Sequence, residues 1–302
     1  MNQKQLKIYG TIPGRCNPIR NFRSLQTKAS PPSMLKCINL QEGGKFHLQG
    51  KDVYLFRSVD STNSTARAMA QSGVPDGTII VSETQITGRG RRGRQWSCPP
   101  GKGILMSMII RPPVEIRLIP LLTLLTGVVV AESIYKATGC VAGIKWPNDL
   151  IINGKKVCGI LAESSIKAQG SLEYVIIGIG INVNLEKHDL PVDCMETSTS
   201  LKIELGQVVS RLNLIRRFIL TWEEHYQGFL DSGYSYVRQK WIENNSTLGR
   251  MVTISKGSES IDGLALDISD RGGLIVELSN GVREEFLADD VTLGRYYYRS
   301  TK

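Results

Sequence analysis

From Leu118 to Ala131 the chain runs for 14 residues without a charge, interrupted only by Pro120 and Gly127. That run is too short to cross a bilayer and so predicts a helix buried in a folded core. Proline early and Gly139 late place this helix at about 118–138. An apolar helix must be enclosed by other elements, and the sequence on either side supplies them. Strand patterns occur at VYLFRSV (53–59), GTIIVSET (77–84) and GILMSMII (103–110). After the helix come VAGIKW (141–146), a hairpin DLIINGKKVCGILAE turning at Asn153–Gly154, and YVIIGIGINVN (174–184). DSTNSTARAMAQSG reads as a helix capped by Asp60 or Ser61 and stopped by Gly73. Helical segments fill roughly 207–244, with Val208, Leu212, Ile215, Phe218, Ile219 and Trp222 on one face. From Leu248 the texture changes to short strands separated by Gly, Asp and Asn turns, which predicts a small β-barrel. The expected class is α+β, divided into an N-terminal extension (1–44), a main domain (45–246) and a terminal barrel (247–302).

The 302 residues are 41% hydrophobic and 22% charged, enough for a full core. The net charge of +9 suggests nucleic acid until it is located: residues 1–41 hold seven basic side chains and no acidic one, which leaves +2 for the rest. This basic segment contains KASPPSM and lacks apolar periodicity, so it reads as a disordered extension. Its acid-free composition is also that of a mitochondrial or plastid transit peptide, with a cytoplasmic chain as the alternative; without an apolar stretch it is not a secretory signal. Six cysteines without a C-x-x-C, and only three histidines, form no zinc-ligand pattern and predict reduced thiols in an intracellular compartment. No membrane partner is expected.

The stretch TGRGRRGRQW (87–96) contains G-x-G-x-x-G, the spacing of a dinucleotide-binding turn. That fingerprint needs a helix to open behind it, and the residues after Gly93 are RQWSCPPGKG, which start no helix. An arginine–glycine nucleic-acid tract is a second reading, weakened by a nearly neutral main domain. A third uses both residue types: glycines let backbone approach a ligand closely and move, and arginine forks neutralise carboxylate and phosphate oxygens. Such a loop can bring an acid and a nucleotide together and close over a reactive mixed anhydride. KWPNDL (145–150) adds Lys145 at the end of an apolar strand, where a point charge could meet both groups; a solvated surface lysine is the alternative.

VDSTN, ETQITGRGRRGRQWSCPPGKG, KWPNDL, GKKVCGILAE and GIGINVN, in this order and spacing, resemble the biotin–protein ligases over about residues 53–296. The resemblance implies a class II synthetase-like catalytic domain, a mixed sheet with flanking helices, followed by an SH3-like barrel. It implies that biotin and MgATP give biotinyl-5′-AMP and pyrophosphate, and that biotin then passes to one lysine of a carboxyl carrier domain. Magnesium would be carried by ATP, with no protein metal ligand. Ser61, Thr62, Asn63, Gln85, Arg89, Gly90, Arg91 and Lys145 match biotin-binding positions, with Arg91 and Lys145 catalytic; Arg94, Trp96, Asn148 and Asn182 match the ATP side. Some have a plainer reading: Ser61 to Asn63 as a helix cap and Trp96 as a core aromatic; the glycines of GIL and GIGIN, which suit a pocket wall, fit tight sheet packing equally. Lipoate and octanoate ligases share the fold but lack the arginine–glycine loop. The winged helix-turn-helix domain of bifunctional members has no counterpart pattern here, so no DNA partner is expected; monomer and homodimer stay open.

Overall fold

The computed structural model describes residues 44–256, 259–287 and 290–296. The basic segment read from the sequence as an extension or address therefore lies outside the described residues. The main sheet is built from β1 (Gly44–Leu48), β2 (Lys51–Phe56), β3 (Ile79–Ser82), β4 (Gly103–Ile110), β5 (Gly143–Lys145), β6 (Asp149–Ile152), β7 (Lys155–Ile166) and β8 (Leu172–Asn182). Their spatial order is β1-β2-β3-β4-β8-β7-β6-β5. Only β2 and β3 run parallel, because helix α1 (Thr62–Gln71) carries the chain across between them. The remaining helices are α2 (Ile119–Thr138), α3 (Leu201–Leu205) and α4 (Arg211–Asn244), the last broken at Gly233, where φ is 54°.

Alternation along the strands divides the sheet into two unlike faces. Val175, Ile177, Ile179 and Ile181 of β8 join Met106, Met108 and Ile110 of β4 in the main core, against α2 and α4. The buried helix predicted from the apolar run is α2, closed by Gly139 in the left-handed conformation at φ 74°. By length and composition it could cross a membrane, yet it is mostly buried within this fold. The opposite face carries α1 over a small cluster of Ala66, Ala70, Ile80, Ile109, Tyr174 and Ile176. Beyond Ile176, outward residues on this face shrink to Gly178 and Gly180 of β8, paired with Leu161 and Gly159 of β7. The sheet is left hollow there.

A second sheet holds β9 (Arg250–Lys256), β10 (Glu259–Ile268), β11 (Leu274–Leu278), β12 (Arg283–Phe286) and β13 (Asp290–Tyr296), in the order β12-β11-β10-β9-β13. All neighbours are antiparallel. The strands fall where the turn spacing puts them, and the antiparallel five-stranded unit fits the expected SH3-like domain; among the described residues β12 and β13 do not pair. Two expectations change. Strand β1 has no counterpart among the expected strands, and Val208 lies outside α4 with 71% of its surface exposed. On α4 the buried stripe passes instead through Leu214, Phe218, Ile219, Trp222 and His225.

Candidate active site

The hollow is a cleft of about 690 Å³, within the range of small-molecule sites. Ser61, Thr62, Asn63, Gln85, Arg89, Gly90, Arg91, Arg94, Trp96, Lys145, Asn148 and Asn182 all line it. Every site residue expected from the sequence is thus brought to one place, from four separated segments.

The floor depends on glycine. A Cβ on Gly178 would stand 2.2 Å from Asn63 Oδ1, and one on Gly180 would stand 2.5 Å from the Trp96 ring. The indole lies flat across the Gly159–Gly180 pair, so Trp96 belongs to the cleft and not to the core. Its Nε1 is buried and makes no hydrogen bond. Lys156 Nζ sits 5.6 Å from the ring centroid and 2.6 Å from Asp149 Oδ1. Lys156 is a second cleft lysine that sequence reasoning does not single out, since a lysine beside an Asn–Gly turn reads as surface.

At one end of the cleft the wall is polar. Ser61, Thr62 and Asn63 begin α1 and are 3%, 4% and 4% exposed. Ser61 occupies the cap position of the helix, but its hydroxyl makes no cap hydrogen bond. Thr62 donates its backbone N–H to Gln85 Oε1 at 2.8 Å, which fixes the orientation of that amide.

The arginine–glycine loop is a small hairpin. Gly90 N–H donates to the Arg94 carbonyl at 2.7 Å and Trp96 N–H to the Gly88 carbonyl at 2.9 Å, with a single 3₁₀ turn at Arg91–Gly93 between. Arg92 and Gly93 take positive φ of 54° and 73° at the turn. Arg91 donates to Asn148 Oδ1 at 2.9 Å, and Asn148 donates in turn to the Ile160 carbonyl at 2.8 Å. The loop and KWPNDL therefore meet directly, through a pair that separate motifs did not suggest. At the tip, Arg92 reaches the Ser255 carbonyl of β9 at 3.4 Å, and Val291, Thr292 and Leu293 of β13 complete the cleft. Asn182 donates to the Thr199 carbonyl at 3.0 Å, so its amide braces the far wall.

Lys145 is half-buried at the end of β5. The next residue holds that position. Trp146 is fully buried, its backbone N–H donating to Thr247 Oγ1 and its indole N–H to the Gly272 carbonyl, both at 2.9 Å. Both partners come from beyond residue 246. Cys194 also lines the cleft, but burial pushes its thiol up; behind the loop, burial raises the Cys98 thiol to about 11. Neither is a thiolate at neutral pH, so the cleft offers charge stabilisation rather than a thiol nucleophile.

Residues 55–182 match the biotin/lipoate A/B protein ligase family, and residues 247–294 match the biotin protein ligase C-terminal domain. The bifunctional ligase/repressor BirA of Bacillus subtilis is 34% identical, over 85% of this chain and 79% of the relative. The biotin–[acetyl-CoA-carboxylase] ligase of Paracoccus denitrificans is 31% identical, over 78% of this chain and 98% of the relative. A biotin protein ligase from Aquifex aeolicus, solved with biotin and ATP, superposes with a TM-score of 0.69 at 28% identity, covering 80% of this chain and 98% of that one. Fold and site thus define a biotin/lipoate-type protein ligase. Within that class, the chain belongs to the biotin protein ligase family.

Proposed function

We propose that the cleft performs an adenylyl transfer and then an acyl transfer, with each cationic residue assigned a step. In the first, a carboxylate oxygen of biotin attacks the α-phosphorus of MgATP; the O–P bond forms and pyrophosphate leaves. In the second, the amine of a carrier lysine attacks the acyl carbon of biotinyl-5′-AMP; the amide forms, AMP leaves, and the amine proton passes to solvent. The attack in step one brings two anions together. Lys145, a compact point charge on a braced strand, neutralises both. Arg89 and Arg91 supply fork contacts to the mixed anhydride and hold it against escape, and Arg94 and Asn148 stand on the nucleotide side. Trp96 offers an aromatic face for adenine, with Lys156 beside it.

The observation that carries this reading is the pairing of a buried polar wall with a cationic rim in one cleft. A ring bearing both N–H and C=O groups satisfies such a wall; the apolar head of lipoate or octanoate would leave buried polar groups unpaired. Arg89, Arg91 and Arg94 of the loop line this cleft, which removes the main support for a nucleic-acid tract. Magnesium enters as part of the nucleotide substrate. The carrier is a biotin-accepting domain of a carboxylase, and residues 1–43 supply the address, if the mature enzyme works in an organelle matrix.

Pyrophosphate release from ATP on adding biotin, followed by label transfer to a carrier domain, is the direct test. Release with lipoate or octanoate but not biotin overturns the assignment.

A further inference from the structure

Ser107 is the one hydroxyl in the otherwise apolar strand β4, and it is fully buried between Met106 and Met108. It points to the cleft face, where its pairing partner on β8 is Gly178. Its Oγ lies 2.6 Å from Asn63 Oδ1 and 2.8 Å from Thr62 Oγ1. A hydroxyl has one proton and can satisfy only one of these as donor.

Asn63 decides which. Its Nδ2 lies 2.7 Å from Glu163 Oε2 and 3.3 Å from the Leu161 carbonyl. Both neighbours only accept, so the NH₂ must face them and Oδ1 must face Ser107. Oδ1 has no proton of its own, and Ser107 therefore donates to it. Thr62 in turn gives its proton to Ser107 across 2.8 Å rather than to Gln85 Oε1 at 3.1 Å. With the Ser107 proton committed to Asn63, only the Thr62 hydroxyl can fill that 2.8 Å contact, and Gln85 Oε1 keeps its bond from the Thr62 backbone N–H.

The geometry points to Asn63 as a strut rather than a biotin contact, with Ser107 and Glu163 as the positioning residues that fix it. Both of its amide protons and its carbonyl oxygen are engaged inside the protein. The groups left to read the ligand are the Ser61 hydroxyl, the two lone pairs of Thr62 Oγ1 and the Gln85 Nε2 protons. They amount to a donor and acceptor set complementary to a cyclic urea. Glu163 also receives Arg67 at 3.1 Å and stands 4.0 Å from Arg89, so the strut is tied to the base of the arginine–glycine loop. This inference rests on biotin as the substrate.

The experiment is a swap of donor and acceptor, read as the KM for biotin in pyrophosphate release at saturating ATP. Asn63→Asp sets a carboxylate against Glu163 and should raise the KM by about a hundredfold, the loss expected when a buried hydrogen bond to a charged group becomes a repulsion. Adding Glu163→Gln returns a donor to that pair and should recover about tenfold of the loss, while kcat moves little. A ligand-contacting amide could not be rescued this way, because the introduced carboxylate still could not donate to biotin. A double variant no better than Asn63→Asp overturns the proposal. Should Asn63→Asp fail to fold, Ser107→Ala decides: a rise in KM of about fivefold or more with unchanged kcat supports the strut, and a KM indistinguishable from wild type overturns it. Wild-type enzyme inert toward biotin would instead sink the substrate assignment and leave the hydrogen-bond argument untouched.

Discussion

The two faces of the eight-stranded sheet are made by the same strands and obey opposite rules. On one, Ile177, Ile179 and Ile181 fill space against α2 and α4, and any aliphatic of similar volume would serve. On the other, Gly178 and Gly180 keep space open, and what rests on them is an amide and an indole. Stability and specificity are thus sorted by the parity of residue number along β8. Substitutions one position apart should therefore fail in different ways.

The largest effect belongs to the cleft rim. Lys145→Ala should slow adenylation by roughly a thousandfold or more, about 4 kcal/mol of transition-state stabilisation. Transfer from pre-made biotinyl-5′-AMP should suffer much less, as single-turnover measurements of each half-reaction would reveal. Equal loss in both would mean that the lysine serves the fold.

The parity rule itself is tested next. Ile177→Ala on the core face, where the side chain is fully buried, should cost about 3 kcal/mol of unfolding free energy and leave the KM for biotin near wild type. Gly178→Ala should do the reverse, since the added methyl meets Asn63 Oδ1: a KM raised by roughly tenfold or more, with little loss of stability. Denaturant melts and steady-state kinetics on the pair decide. If both variants lose stability equally, the faces are not independent.

The core face also has its own titration. Glu132 of α2 lies 3.1 Å from the Nε2 of His225 on α4, and Tyr236 contacts the other ring nitrogen at 2.9 Å. The imidazole, and then Lys136, hold the Glu132 carboxyl down to about 2 against the opposing effect of burial. A depressed carboxylate stabilises the fold above its unfolded-state pKa and loses that contribution as pH falls through the folded value. Acid unfolding should therefore steepen between about pH 4.5 and 2, with up to about 3 kcal/mol at stake. Glu132→Gln should flatten that limb without touching biotin affinity.

Smaller still, Arg91→Gly should leave the fold intact and quicken escape of the adenylate by about ten- to a hundredfold, for a contact of roughly 1.5–3 kcal/mol. Labelling of albumin by wild type and variant checks it; no increase from a variant that still makes adenylate would remove Arg91 from retention. Deleting residues 1–41, which stops short of β1, should change neither activity nor melting temperature.

Local chemistry was legible in the sequence where it determines structure locally. The Asn153–Gly154 turn takes φ of 50° and 79°, as an Asn–Gly hairpin requires, and Gly73 and Gly139 end their helices with positive φ. What could not be read depends on register between strands. No pattern along β4 distinguishes Ser107 from an incidental hydroxyl; its meaning comes from Gly178 opposite and Asn63 above. The glycines of GIL and GIGIN fitted ordinary sheet packing equally well until the 159–180 pairing placed the Trp96 indole on both. Asn148 and Asn182 both line the cleft, while the Arg91 contact of the first and the bracing contact of the second depend on three-dimensional placement.

The anchoring of Trp146 bears on how this chain could be engineered as a two-piece proximity reporter. The evident cut, between 246 and 247, would put Thr247 and Gly272 on a different fragment from the tryptophan that both of them hold. Reassembly would then have to rebuild the seat of Lys145 along with the interface, and background labelling by the larger fragment should be low for that reason. A cut in the exposed turn joining β7 to β8, where Gly170 N–H meets the Lys167 carbonyl, leaves that seat whole. The two break points would give reporters with different thresholds: one silent until docked, the other needing only its sheet restored.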